Sequence, residues 1–167
     1  MVRIETVLDS WKAIRQDTAQ TVTDFPPAEL DFRPVPEIAS FREIARHILD
    51  SGHALTGLLL AGVDDFATPE FRQRMRDHFY GLPEDVGAPE IAAALNASID
   101  ARRADLCART PDFFAGMVTR FDGQQVTRLE MLQTIKEHEI AHRSQLFLYL
   151  RLKGIVPVTT RRRRARA

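Results

Sequence analysis

Residues 127–153 read TRLEMLQTIKEHEIAHRSQLFLYLRLK, and this stretch decides the fold. It opens with Thr127-Arg128-Leu129-Glu130, a capping box in which the threonine hydroxyl accepts the N3 amide and the glutamate reaches back to the N-cap amide. Gly154 and Pro157 end it. On a wheel of about 100° per residue, Met131, Ile135, His138, His142, Leu146 and Tyr149 share one face. The pattern predicts a long helix whose apolar stripe carries two inward histidines one turn apart. Glu139 falls about 80° round from Met131, at the boundary of that face.

Working outward, the same period recurs along the chain. Segment 2–23 places Ile4, Leu8, Trp11, Ile14, Thr18 and Val22 at steps of three and four, and Phe25-Pro26-Pro27 stops it. The following loop contains Leu30 and Phe32, two core plugs. Ser40-Phe41-Arg42-Glu43 is a second capping box, and it opens a helix that runs to about Ala61 with Gly62 as its stop. His47 sits on the flank of its inner stripe. Thr68-Pro69-Glu70 predicts an extra short helix over 69–80 with proline at N1. Pro89-Glu90 predicts a third long helix to about Arg109. Between 111 and 126 the helical period breaks around Asp122-Gly123, which fits a short hairpin or an irregular loop. Four long helices without an extensive sheet predict an all-α, up-and-down or crossover four-helix bundle. The expected domain spans residues 1–156, and 157–167 reads as a basic, disordered tail.

With 167 residues and 44% apolar content, the chain can bury a core without covalent staples. The single cysteine, Cys107, excludes a disulfide framework and any multi-cysteine zinc site, and it reads as a packing residue. No apolar run approaches the ~20 residues of a membrane span, and Met1-Val2-Arg3-Ile4-Glu5 has no signal-peptide pattern, so a cytoplasmic protein is expected. Formal charge is zero, yet residues 161–167 hold five arginines and the remaining body carries 18 basic against 23 acidic residues. No basic face accompanies the tail, so nucleic acid is not an expected partner.

The string His138-Glu139-Ile140-Ala141-His142 matches the H-E-x-x-H pattern of zinc proteases. That reading fails. No His, Asp or Glu follows His142, and Gln145 and Leu148 occupy the glycine and last histidine positions of the longer motif. A third ligand must come from upstream, which suits His47. Hydrogen-bonded packing histidines remain the alternative to a metal site. His53 and His78 are expected to lie outside the site.

His138 to Leu146 resembles the H-x-x-x-H-R-G-Q-L motif of the DinB/YfiT-like metalloenzymes, with Ser144 in place of the glycine and Ala141 where many members carry another histidine. Arg33-Pro34 followed by Ser40 to Ile48 is similar to that family's R-P…S-I-x-E-h-h-x-H-h segment. The resemblance covers roughly residues 2–154. It implies a bundle in which His47, His138 and His142 bind one divalent ion (zinc, nickel, iron or manganese). It also implies frequent homodimers and reactions that use a low-molecular-weight thiol on a small-molecule substrate. Three hypotheses follow: a thiol-dependent transferase or isomerase acting through metal-activated thiolate, a hydrolase acting through metal-bound water, and a non-catalytic metal- or ligand-binding bundle. Glu43, Arg143 and Glu139 are candidates for supporting or substrate contacts, and no catalytic residue is assigned.

Overall fold

The computed structural model describes residues 3–166; Met1 and Val2 of the expected domain and Ala167 of the tail lie outside the described residues. Among the described residues, seven α-helices and one hairpin follow in the order α1 (Ile4–Asp24), α2 (Phe41–Leu60), α3 (Phe71–Asp77), α4 (Ala88–Cys107), α5 (Pro111–Ala115), β1 (Met117–Thr119), β2 (Gln125–Thr127), α6 (Arg128–Leu152) and α7 (Val158–Arg164). A 3-10 turn spans Pro27–Glu29. Both capping boxes form as the sequence predicts: Ser40 with Glu43, and Thr127 with Glu130. They set the first residue of α2 and α6, and thereby the helical phase at which His47, His138 and His142 emerge.

The four long helices form a crossover bundle. α1 packs on α4 and α6, and α2 packs on the same two helices, so α1 and α2 stand at opposite corners. The chain between them must therefore cross one end of the bundle. It does so over an aromatic cap in which Phe25 stacks on Phe41 at 3.8 Å and Phe32 meets the edge of Tyr149 at 6.0 Å. Leu30 is buried there. α5 and the hairpin cross the other end, with Val118 paired to Val126.

Four local expectations change. Pro69 lies in a turn, and α3 begins at Phe71, two residues beyond the expected N1 proline. The 111–126 stretch contains a helix, α5, which the loss of long-range periodicity concealed. The expected disordered tail holds α7, because α1 offers it acidic partners: Arg161 Nη2 donates to Asp24 Oδ2 at 2.6 Å and Arg162 Nη2 to Asp17 Oδ1 at 2.6 Å. Cys107 is exposed rather than packed in the core. No helix of the described residues is long and apolar enough to cross a membrane.

The core divides in two. One apolar cluster gathers around Phe25, Phe41, Ile48, Leu95, Leu146 and Tyr149. The other gathers around Leu8, Trp11, Leu58, Ile99, Met131 and Ile135. Between them every long helix contributes polar residues: Arg15 and Thr18 from α1, Ser51 and His53 from α2, Ser98 from α4, and Glu139 from α6. On the α2–α4 side, Arg102 Nη2 donates to His53 Nε2 at 2.9 Å, so the ring proton sits on Nδ1, which donates to Ser98 Oγ at 3.0 Å. His53 thus fills a structural role, and His78 caps its own helix through Arg74; neither joins the site.

Burial, and then the Arg102 guanidinium, push the His53 ring down from its ordinary 6.5 to about 4. The unfolded chain takes up that proton near 6.5 while the folded chain does so only near 4, so stability is full above pH 6.5 and falls as pH drops toward 4. The expected outcome is an imidazole titration near 4 by NMR, with a smaller loss of stability over that window in His53→Gln. An unchanged urea midpoint difference between pH 7 and pH 4.5 in the variant would contradict this.

Candidate metal centre

His47 stands on α2 and His138 and His142 stand one turn apart on α6, so the packing of these two helices brings the three rings together. His47 Nε2 lies 3.2 Å from His138 Nε2, and His142 Nε2 lies 3.1 Å from the same atom. Among the described residues, these three offer donor atoms that all lie within 4.8 Å of one another. The ligand nitrogens of a tetrahedral zinc ion are about 3.3 Å apart, close to the two short separations. Burial, and then the neighbouring imidazoles, hold His47 below its ordinary value and His138 down to about 4. Neutral rings present lone pairs. Several lone pairs converging on one point repel unless a proton or a cation stands between them, so the donor set fits a divalent ion.

Gln145, which the sequence reading did not single out as a site residue, orients one ring: its Oε1 lies 2.8 Å from His142 Nδ1. That contact puts the proton on Nδ1 and leaves Nε2 free to coordinate. The legible signal was spacing, since Gln145 lies three residues after His142 on the same helix face.

The cluster separates two cavities. One, of about 380 Å³, is lined by Ile38, Glu43, His47, His142, Gln145, Leu148 and Tyr149 among others. The other, of about 220 Å³, lies on the side of His138, Phe71 and Phe121. The two α6 histidines are half-buried and His47 is exposed, so the site is open to small molecules. This differs from the expected inward pair at the centre of the stripe. The buried residues of α6 are Met131, Leu132, Ile135, Glu139, Leu146, Tyr149 and Leu150. Their mean direction lies about 50° round from the histidines, close to Glu139.

Glu139 is the corrected element. It is 2% exposed and faces α1, where Trp11 Nε1 donates to Oε2 at 2.6 Å, Arg15 Nε donates to Oε1 at 2.8 Å, and the Thr18 hydroxyl lies 3.1 Å from Oε1. Arg15 is itself 1% exposed. Its guanidinium lies against the backbone of α2 at Gly52, where a Cβ would come within 2.5 Å of Nη2. Both carboxylate oxygens are engaged and Glu139 lines neither cavity, so it positions α6 instead of handling a substrate. Arg143 also lines neither cavity; it stands 3.8 Å from Asp17 and over the Phe147 ring. Glu43 does line the larger cavity, but it is committed. One oxygen accepts from Arg33 Nη2 at 2.6 Å and the other from the Ser40 amide at 2.7 Å, and these contacts hold its carboxyl below the ordinary range.

Fold and site together define a crossover helical bundle with a three-histidine cluster at its open face. The chain belongs to the DinB superfamily, whose sequence pattern matches residues 10–146. No curated protein matches the chain significantly in sequence. Among solved structures, it is similar to the DinB-like protein YjoA from Bacillus subtilis, at 19% identity and a TM-score of 0.69, covering 89% of this chain and 92% of that one. It is similar to YfiT from Bacillus subtilis, described as "a probable metal-dependent hydrolase with an unusual four-helix bundle topology", at 14% identity and a TM-score of 0.61, covering 89% and 88%. It is also similar to a mycothiol-dependent maleylpyruvate isomerase, at 12% identity and a TM-score of 0.63; the match covers 87% of this chain but 61% of that longer one. At these identities the likeness is one of fold.

Removing one partner of a buried ion pair typically costs about 3–5 kcal/mol, because the other charge stays buried and unpaired. Glu139→Ala is therefore expected to lower stability by about that amount in chemical denaturation. The double change Arg15→Met, Glu139→Leu should recover most of it. A loss below about 1 kcal/mol in the single variant would show that the pair does not hold the helices in place.

Proposed function

We propose that this chain binds one divalent metal ion through His47, His138 and His142 and acts as a thiol-dependent transferase or isomerase on a small electrophilic substrate. The observation that carries the reading is the convergence of three imidazole Nε2 atoms, two of the separations being 3.1 and 3.2 Å, between two open cavities. A divalent ion with three protein ligands and open positions supplies Lewis acidity, which lowers the pKa of a bound thiol.

The chain's own residues favour a thiol over water as nucleophile. Coordination alone lowers the pKa of a metal-bound water to about 7, and a base at the reacting atom assists its attack further. Glu139 is turned into the core and Glu43 is held by Arg33 and the α2 cap, so neither carboxylate is free to take a proton. A thiol, more acidic than water by several units, needs no such base once its charge is stabilised. Gln145 keeps the His142 ring in the coordinating tautomer, and Ile38, Leu148 and Tyr149 give the larger cavity an apolar lining.

Untagged protein is expected to contain about one equivalent of divalent metal by elemental analysis, and after chelation added zinc should raise its melting temperature. His47→Ala and His138→Ala should each abolish that shift, and Gln145→Ala should weaken binding about 10–100-fold. Metal well below one equivalent with no thermal shift would sink the proposal. A panel of low-molecular-weight thiols with a chromogenic haloarene, run beside activated esters without thiol, separates thiol transfer from hydrolysis.

A further inference from the structure

We propose that the cavity of about 220 Å³ beside His47 and His138 is a ligand subsite that seats a phenyl-sized apolar group of a small molecule whose polar end reaches the three imidazoles. The placement of the polar end rests on the metal reading above, while the apolar seat stands on its own geometry. The wall comes from four elements: Leu55 of α2, Phe71 and Met75 of α3, Phe121 of the hairpin turn and Ile135 of α6. Two hydroxyls also line it, but both are spent on their own helices. Ser51 Oγ donates to the His47 carbonyl at 2.6 Å, and Thr134 Oγ1 to the Glu130 carbonyl at 3.1 Å. Their oxygens can still accept, but a trapped water needs two to four polar partners, and beyond these oxygens and the imidazole edges the wall offers none. The space suits an apolar group better than solvent.

The outer wall is built, not a loose flap. The Phe66 amide donates to the Thr119 carbonyl at 2.8 Å and the Thr119 amide to the Asp64 carbonyl at 2.7 Å, which ties the chain after α2 to the hairpin. Phe66 is 1% exposed and meets Phe71 edge-on at 5.8 Å; Phe71 in turn leans on Phe121 at 5.8 Å. This row of rings runs from the core to the mouth, where Phe121 remains 46% exposed. Phe71 and Met75 of α3 pack on the edge of the second apolar cluster and turn their remaining surface to the cavity. On size, a cavity of about 150 Å³ with aliphatic and aromatic walls admits benzene, so this one holds a ring with a short linker.

The test uses the full chain with [methyl-13C]methionine and two probes. Toluene should shift the Met75 methyl resonance and leave that of Met117 unmoved, with or without zinc. Benzyl mercaptan should bind the zinc-loaded protein about tenfold or more tightly than ethanethiol in calorimetry, because more apolar surface leaves water. Met75→Trp, which fills the cavity from its outer wall, should erase that preference while zinc affinity stays unchanged, and Phe121→Ala should weaken it several-fold. A Met75 methyl unmoved by toluene, or equal affinity for the two thiols on zinc-loaded protein, overturns the subsite. If the protein takes up no zinc while toluene still shifts Met75, the metal reading falls and the apolar seat stands.

Discussion

The buried carboxylate of Glu139 is the constraint on which the arrangement depends. A charge removed from water must be met from all sides, and here α1 meets it with the Trp11 indole, the Arg15 guanidinium and the Thr18 hydroxyl. Only one rotation of α6 satisfies those contacts. That rotation turns His138 and His142, on either side of Glu139 in sequence, toward α2 and the solvent. A buried ion pair is poor evidence of net stability, but the cost of misplacing it selects one helix phase over its neighbours. Gly52 belongs to the same device, since its missing side chain leaves room for the guanidinium between α1 and α2.

This polar layer also explains why the core has two halves. Apolar side chains pack above and below it, and the histidine cluster forms where the layer reaches the surface between α2 and α6. An ion held there would sit at the edge of a rigid plane and face two cavities of different character. The larger one is bordered by the Arg33–Glu43 pair and Tyr149, and the smaller by aromatic and aliphatic groups from the crossover elements. The bundle supplies the rigid donors. The connections at its end supply the walls, a division common where function is carried by loops on a stable scaffold.

Much of the fold was legible because its signals are local. The capping boxes at Ser40 and Thr127, the proline stops and the 3.6-residue stripes mark the long helices within a few residues. The spacing of His138 and His142 exposed the pair, and the lack of any ligand-type residue after His142 pointed to His47. What misled was polarity. Glutamate and arginine are rarely buried, so the wheel placed Glu139 at a boundary and left Arg15 off the inner stripe of α1. Each is buried only because the other is there, and a partner 124 positions away leaves no trace in a local pattern. The arginine-rich end misled in the same way, since Asp17 and Asp24 hold α7 from a distance.

By itself, the sequence determined where helices begin and end, that four of them share one core, and that His138 and His142 lie on one face of a helix, because capping, periodicity and ligand spacing act over a few residues. The tertiary structure alone decided the diagonal placement of α1 and α2, the inward turn of Glu139, the outward turn of the histidines and the apolar wall built by α3 and the hairpin. Those depend on contacts between residues far apart in the chain, whose energies exist only once the helices have packed.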